Sequence, residues 1–197
     1  MIPILDNGHG GMIGGEYQTP GKRSPNWECG VLYEGMFNRW FVNRLMEKMD
    51  RYGLKYYHVS PELKDVSLNE RVLRANRIYH SNPKSYLLSI HANAGGGHGI
   101  EGFTSVGKTK SDPIGEKFLN QIQFDFQGSQ IIRHDLSDGD LDKEVQYFVL
   151  KNTICPAFLL ECGFMDHPED YLKLWDQHYL NKLVSSVFKS IEELQNN

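Results

Sequence analysis

Four ionisable side chains sit in this sequence where apolar residues would be the default. His9 falls just past a short apolar run, in Leu5-Asp-Asn-Gly-His-Gly-Gly11. His91 closes the run Tyr86-Leu-Leu-Ser-Ile-His91, and Glu161 closes Ala157-Phe-Leu-Leu-Glu161. Glu34 opens a helical pattern and shares a face with Phe37, Phe41 and Leu45. Each has an ordinary explanation on its own. A histidine after a strand is commonly a surface or core-bonded residue, and a first-turn glutamate favours the helix dipole. Three strand ends that each deliver an imidazole or a carboxylate are harder to explain in that way. A buried carboxylate without a partner is costly, so a cation nearby is the economical account. Two imidazoles and one carboxylate leave the fourth position of a zinc ion open for water, the pattern of a catalytic site. Zinc would lower the pKa of that water to about 7 and polarise a carbonyl at the same time.

These side chains can meet only if the elements that carry them end at one edge. Ile2 to Leu5 is an apolar run stopped by Asp-Asn-Gly, a strand followed by a turn. Residues 10–30 are rich in Gly and Pro and read as a long loop. Helical period begins near Val31, with Phe37, Phe41, Leu45 and Met49 four apart and Gly53 at the C-cap. Leu54 to Val59 reads as a strand. Ser67-Leu-Asn-Glu70 is a capping box that opens a second helix. Ser85 to Ile90 is a strand buried on both faces, and Ile100 to Val106 a further one. Asp112-Pro113 starts a helix that runs to about Phe126. Residues 127–144 are polar and irregular. Ala157 to Leu160 is another buried strand, and helices from Pro168 and over Tyr179 to Leu194 finish the chain. Strands alternating with helices predict an α/β fold: a single domain, residues 1–197, with a mostly parallel twisted sheet flanked by helices. In such a sheet, ligands gather outside the carboxyl ends of the strands, which is where His9, His91 and Glu161 would stand.

A second set of motifs points elsewhere. Gly102-Phe-Thr-Ser-Val-Gly107-Lys108-Thr109 is a literal phosphate-loop pattern, and Gly97-His-Gly-Ile-Glu-Gly102 matches the dinucleotide glycine pattern. A phosphate loop needs a buried strand before its first Gly and a helix that starts at Lys-Thr. Here the segment before Gly102 is Gly-rich, Phe-Thr-Ser-Val is strand-like, and the next helix starts too late, at Asp112-Pro113. A different zinc hydrolase, such as a carboxypeptidase or deacetylase, is a further alternative, but there is no HExxH; there is no G-x-S-x-G either, and Cys162 beside Glu161 reads as a small core residue. Length, 40% hydrophobic content and a formal charge of −4 fit one soluble globular domain. That charge offers no basic stripe for nucleic acid, and no apolar stretch is long enough for membrane insertion. Cys29, Cys155 and Cys162 match no paired framework and are expected to be free thiols.

Four segments in register resemble one family: Leu5 to Gly11, Glu34-Gly-Met-Phe-Asn38, Ser89-Ile-His-Ala-Asn93, and Pro156 to Asp170. Together they are similar to the zinc-dependent N-acetylmuramoyl-L-alanine amidases of bacterial cell separation and phage lysis. The resemblance implies that His9, Glu34 and His91 hold zinc. It makes Glu161 the glutamate that takes a proton from the zinc-bound water and passes it to the leaving nitrogen. It implies peptidoglycan as substrate, cut between the lactyl group of N-acetylmuramic acid and L-alanine. Leu68-Asn-Glu-Arg71 with Ala75-Asn76 also resembles the family's second helix. The gap between His9 and Glu34 is longer than the common spacing, and Glu16 and Glu28 inside it are alternative carboxylate ligands. Glu34 is preferred because Asn38 follows at the family's spacing and because it alone lies on a clean helical face. The N-terminus shows no basic region or long apolar core of a signal peptide. That fits a phage-type lysin, or an exported amidase reduced to its catalytic domain, with the cell wall as place of action.

Overall fold

Alternation along three neighbouring strands sorts every side chain of the central sheet into one of two faces. In strand β5 (Ser85–Asn93), Tyr86, Leu88 and Ile90 enter one apolar cluster while Leu87 enters another. In β8 (Ala157–Phe164), Phe158, Leu160 and Cys162 take the first face, and Ala157 and Leu159 take the second. Strand β1 (Ile2–Asp6) follows suit, with Leu5 on the first face and Ile4 on the second. A period of two puts residues i and i+2 on one side, so Ser89, His91, Glu161 and Asp6 all belong to the second face. The hydrophobic pattern that fixes register therefore also aims the polar groups.

The structure, a computed structural model, describes residues 1–136 and 139–196. The remaining elements are the short strands β2 (Met12–Ile13), β3 (Glu16–Tyr17), β4 (Tyr57–His58), β6 (Glu101–Ser105) and β7 (Lys143–Val145). The helices are α1 (Glu34–Arg51), α2 (Leu68–Ser81), α3 (Asp112–Phe126), α4 (Phe148–Asn152), α5 (Pro168–Trp175) and α6 (Gln177–Asn196). Six strands form one sheet in the order β4-β1-β5-β8-β6-β7. Pairings β1/β4, β1/β5, β5/β8 and β6/β7 are parallel, and β6 runs antiparallel to β8. Residues from α1, α3, α5 and α6 cover the first face, and α2 and α4 cover the second. This is the mostly parallel α/β sheet flanked by helices that the alternation of elements predicts.

Several boundaries differ from the sequence reading. Helix α1 starts at Glu34, three residues after Val31, because residues 31–33 are held by the preceding loop: Ser24 N–H donates to Leu32 O, and Glu34 N–H to Lys22 O. Only Tyr57 and His58 of the run from Leu54 to Val59 pair as strand, at the sheet edge beside β1. The loop over residues 10–30 contains a two-residue-per-strand hairpin, β2–β3. Of the irregular stretch 127–144, its last residues begin β7, and 137 and 138 lie outside the described residues. The capping box forms, with Ser67 Oγ accepting from Glu70 N–H at 3.2 Å. Asp112 is not the cap of α3. Ser111 holds that position, and the Asp112 carboxylate accepts instead from Thr109 N–H and Oγ1–H at 2.7 and 2.8 Å. That arrangement closes the phosphate-loop question. Gly102 lies within strand β6, and the Thr109 N–H that would cradle a phosphate is already bonded to a carboxylate.

At the end of β1 one carboxylate organises its surroundings. Asp6 is fully buried and accepts from Gly8 N–H (3.0 Å), Ser60 Oγ (2.8 Å), Ser89 Oγ (2.8 Å) and Arg71 Nη1 (2.9 Å). Burial alone would raise its pKa, but Arg71 first, then His91 and the two hydroxyls, hold it at about 2. Because the folded value lies below the ordinary 3.8, the carboxylate stabilises the fold above about pH 4. That contribution, about 2 kcal/mol, is lost as pH falls toward 2. Denaturant unfolding of Asp6→Asn beside the wild type should show a difference that is constant above about pH 4 and shrinks below it. Asp6→Ala, which strands the buried Arg71 charge, should cost roughly 3–5 kcal/mol at neutral pH.

Candidate metal centre and its carboxylate

Three backbone features bring His9, Glu34 and His91 together. The Asp6–Gly8 turn after β1 swings the chain back over the sheet edge, with Gly8 at φ +66°. A side chain on Gly8 would stand 2.3 Å from His91 Cε1, so only glycine lets the turn lie against the imidazole. Gly35, in the first turn of α1, allows the Gly10 carbonyl to approach where a Cβ would meet it at 2.0 Å. The loop is also clamped by buried Arg39, which donates to His9 O at 3.2 Å and to the carbonyls of Ser60 and Pro61. Asn38 Nδ2 donates to Asn7 O at 3.2 Å, which ties α1 to the same turn.

Glu34 Oε1 lies 3.2 Å from His9 Nε2 and 2.8 Å from His91 Nδ1. The two rings meet edge to face, 5.1 Å apart at 86°, so their nitrogens converge on the carboxylate from different directions. One ligand atom from each of the three residues falls within 4.8 Å of the others. Ser89 Oγ decides the tautomer of His91. Its hydrogen goes to Asp6, so at 3.1 Å from His91 Nε2 it can only accept. Nε2 then donates to Ser89, while Nδ1 on the other side of the ring faces the Glu34 carboxylate at 2.8 Å. A cation shared between Nδ1 and the carboxylate would satisfy both. His9 Nε2 makes the same point, buried and without a hydrogen bond. Donors held about 2.0–2.1 Å from a tetrahedral ion stand about 3.3 Å apart, close to the His9–Glu34 separation. The donor set therefore fits zinc. Burial would raise the Glu34 carboxyl, but His9 and His91 outweigh it and hold Glu34 ionised well below the usual carboxylate range.

Glu161 stands next to this triad by register, since His91 and Glu161 are paired residues of adjacent parallel strands. Its Oε2 is buried and accepts no hydrogen bond from the protein. Burial first, and then the Glu34 charge, push its pKa well above the ordinary value, against the pull of Lys22. Triad and carboxylate line one cleft of about 740 Å³, walled by Arg71, Tyr147, Phe148 and Met165. Glu16 and Glu28 are exposed in the loop and join no such cluster. The sequence reading did not single out Asp6, Ser89 or Lys22. Ser89 was detectable, two residues before His91 on the same strand face. Lys22 was not: only the folded loop brings its ammonium to 3.9 Å from Glu34.

An α/β sheet with a metal-capable triad and an isolated carboxylate at its C-terminal edge defines a candidate centre for metal-assisted hydrolysis. Comparison with known proteins narrows the class. The model of the N-acetylmuramoyl-L-alanine amidase family matches residues 4–193, and the chain belongs to that family. It is 32% identical over 124 residues to the N-acetylmuramoyl-L-alanine amidase CwlM of Bacillus licheniformis, covering 60% of this chain and 42% of that protein. It is 24% identical over 194 residues to an endolysin of Bacillus phage SPP1, covering 98% of this chain and 65% of the endolysin. The chain thus spans about half the length of the curated relatives it matches. Its fold is that of an N-acetylmuramoyl-L-alanine amidase from Clostridium difficile 630, at a TM-score of 0.79 and 22% identity, over 100% of this chain and 97% of that one.

If Glu34 closes the metal site, Glu34→Ala should weaken zinc binding at this centre by orders of magnitude, since two imidazoles alone hold the ion poorly. Glu16→Ala and Glu28→Ala should bind as the wild type does. Titration against a chelator of known affinity separates the three.

Proposed function

We propose that this chain is a zinc-dependent hydrolase that cuts the amide bond between N-acetylmuramic acid and L-alanine in peptidoglycan. The observation that carries the reading is the convergence of His9, Glu34 and His91 on one point, with Glu161 beside them and without a hydrogen bond. Membership of the amidase family supplies the substrate class. Held by the triad, zinc would lend Lewis acidity to the scissile carbonyl and to a water molecule.

The chain's own residues do the rest. Glu161 takes the proton of the attacking water and gives it to the leaving nitrogen of L-alanine. Its Oε2 accepts no hydrogen bond from the protein and is free to carry that proton. Ser89 keeps the His91 proton on Nε2, so that Nδ1 is always the ligating nitrogen. Tyr147 and Phe148, partly exposed on the cleft wall, give the sugar and lactyl groups apolar surfaces to lie against. The cell wall is the place of action on this reading, as it would be for the phage endolysin that the chain matches over nearly its whole length.

Glu161→Gln preserves shape and removes the base. Its zinc content and its folding should equal those of the wild type. Release of new L-alanine N-termini from purified walls should fall at least roughly a hundredfold, the usual worth of general acid–base catalysis. A variant that kept its rate would place the base elsewhere, and one that lost zinc would make Glu161 a ligand.

A further inference from the structure

A second set of metal-type ligands lies along the same edge, outside the triad. His98 sits in the loop between β5 and β6, while His167 and Asp170 sit at the turn from β8 into α5. A ring nitrogen of each histidine and a carboxylate oxygen of Asp170 fall within 4.8 Å of one another. Asp170 is almost wholly buried. Its Oδ2 is used twice, accepting from Gly99 N–H at 2.6 Å and from Phe164 N–H at 3.0 Å. Its Oδ1 accepts no hydrogen bond, and neither His98 Nε2 nor His167 Nδ1 makes one. His98 Nε2 lies 3.3 Å from that Oδ1 and 3.4 Å from Glu169 Oε2, and Lys173 Nζ lies 3.7 Å from the same Oδ1.

A protonated His98 paired with Asp170 is the simplest account of such a cluster. His98 Nε2 does stand 3.3 Å from the carboxylate, but without the alignment of a hydrogen bond. That pairing would also leave His167 Nδ1 unexplained. Three buried polar atoms left unsatisfied in one small volume are costly, and one shared cation satisfies all of them. The separation of 3.3 Å between nitrogen and oxygen matches two donors on one tetrahedral ion, about 2.0–2.1 Å from each. We propose that His98, His167 and Asp170, with Glu169 from the exposed side, form a second binding site for a divalent transition metal of the zinc type. Two imidazoles select such an ion over calcium or magnesium, which prefer all-oxygen shells. The two histidine rings stack at 4.0 Å and 13°, which holds both imidazoles beside Asp170.

The site is structural. It would pin the loop over residues 94–100 to the turn over residues 164–170, where Asp166 already accepts from Gly95 N–H (2.7 Å) and Gly96 N–H (3.0 Å). Ala94 and Met165, at the ends of these two segments, line the catalytic cleft.

Zinc stoichiometry against a competing chelator tests the proposal on the intact chain. Wild type should bind two equivalents, and Glu34→Ala and His98→Gln one each. The double variant should bind none, and zinc should raise the melting temperature of Glu34→Ala but not of the double variant. His167→Gln serves if His98→Gln fails to fold. A Glu34→Ala protein that holds no zinc, or a His98→Gln protein that binds as much as wild type, overturns the second site. A single equivalent lost with His98→Gln and kept with Glu34→Ala would instead uphold this site and remove the first.

Discussion

The arrangement depends on one buried carboxylate that does not itself line the cleft. Asp6 ends the first strand on the face of the sheet that carries the cleft, and its oxygens accept from a turn, two hydroxyls and a guanidinium. Each partner has a consequence nearby. The bond to Gly8 N–H shapes the turn that presents His9. The bond from Ser89 leaves that hydroxyl as an acceptor and so fixes the tautomer of His91. The pair with Arg71 draws α2 against the sheet and makes one wall of the cleft. A buried ion pair is weak evidence for stability in itself. Here it fixes orientation, holding the turn that carries His9 and the ring of His91 in place.

Charge compensation then sets the roles of the two glutamates. Glu34 has two imidazoles against it and stays ionised. Glu161 has no such partner, feels the Glu34 charge, and is driven toward its neutral form. On the proposed reading, the two carboxylates in one cleft divide into a ligand and a proton carrier. Strand register produces the difference: pairing His91 with Glu161 puts Glu161 beside the triad but leaves it outside the hydrogen bonds of Glu34. Moving either strand by one residue would turn its own side chain to the opposite face and break the pair.

Much of this was legible in the sequence, for reasons that differ by element. The buried strands announce themselves as continuous apolar runs, and a polar residue that ends such a run stands out, as His91 and Glu161 do. Glu34 was found from helical phase. The hub around Asp6 was not, because its partners come from residues 8, 60, 71 and 89 and no local pattern links them. Lys22 escaped for a related reason: residues 10–30 carry no periodicity, and their path is set by bonds such as Gly10 N–H to Thr19 Oγ1 and Gly11 N–H to Leu63 O. The edge strand β4 was read too long because an apolar run does not reveal where its partner strand stops. The glycine motifs misled in the opposite sense, since a pattern of residue types does not contain the strand–loop–helix geometry that gives it meaning.

The central claim is that hydrolysis of the muramoyl–alanine bond requires a metal held at this edge. Protein stripped with a chelator, verified metal-free and then mixed with purified cell walls tests it most directly, with newly exposed L-alanine N-termini as the readout before and after zinc is returned. The account predicts no release without metal and recovery of the full rate with zinc. Metal-free protein that releases L-alanine N-termini at the full rate would contradict it.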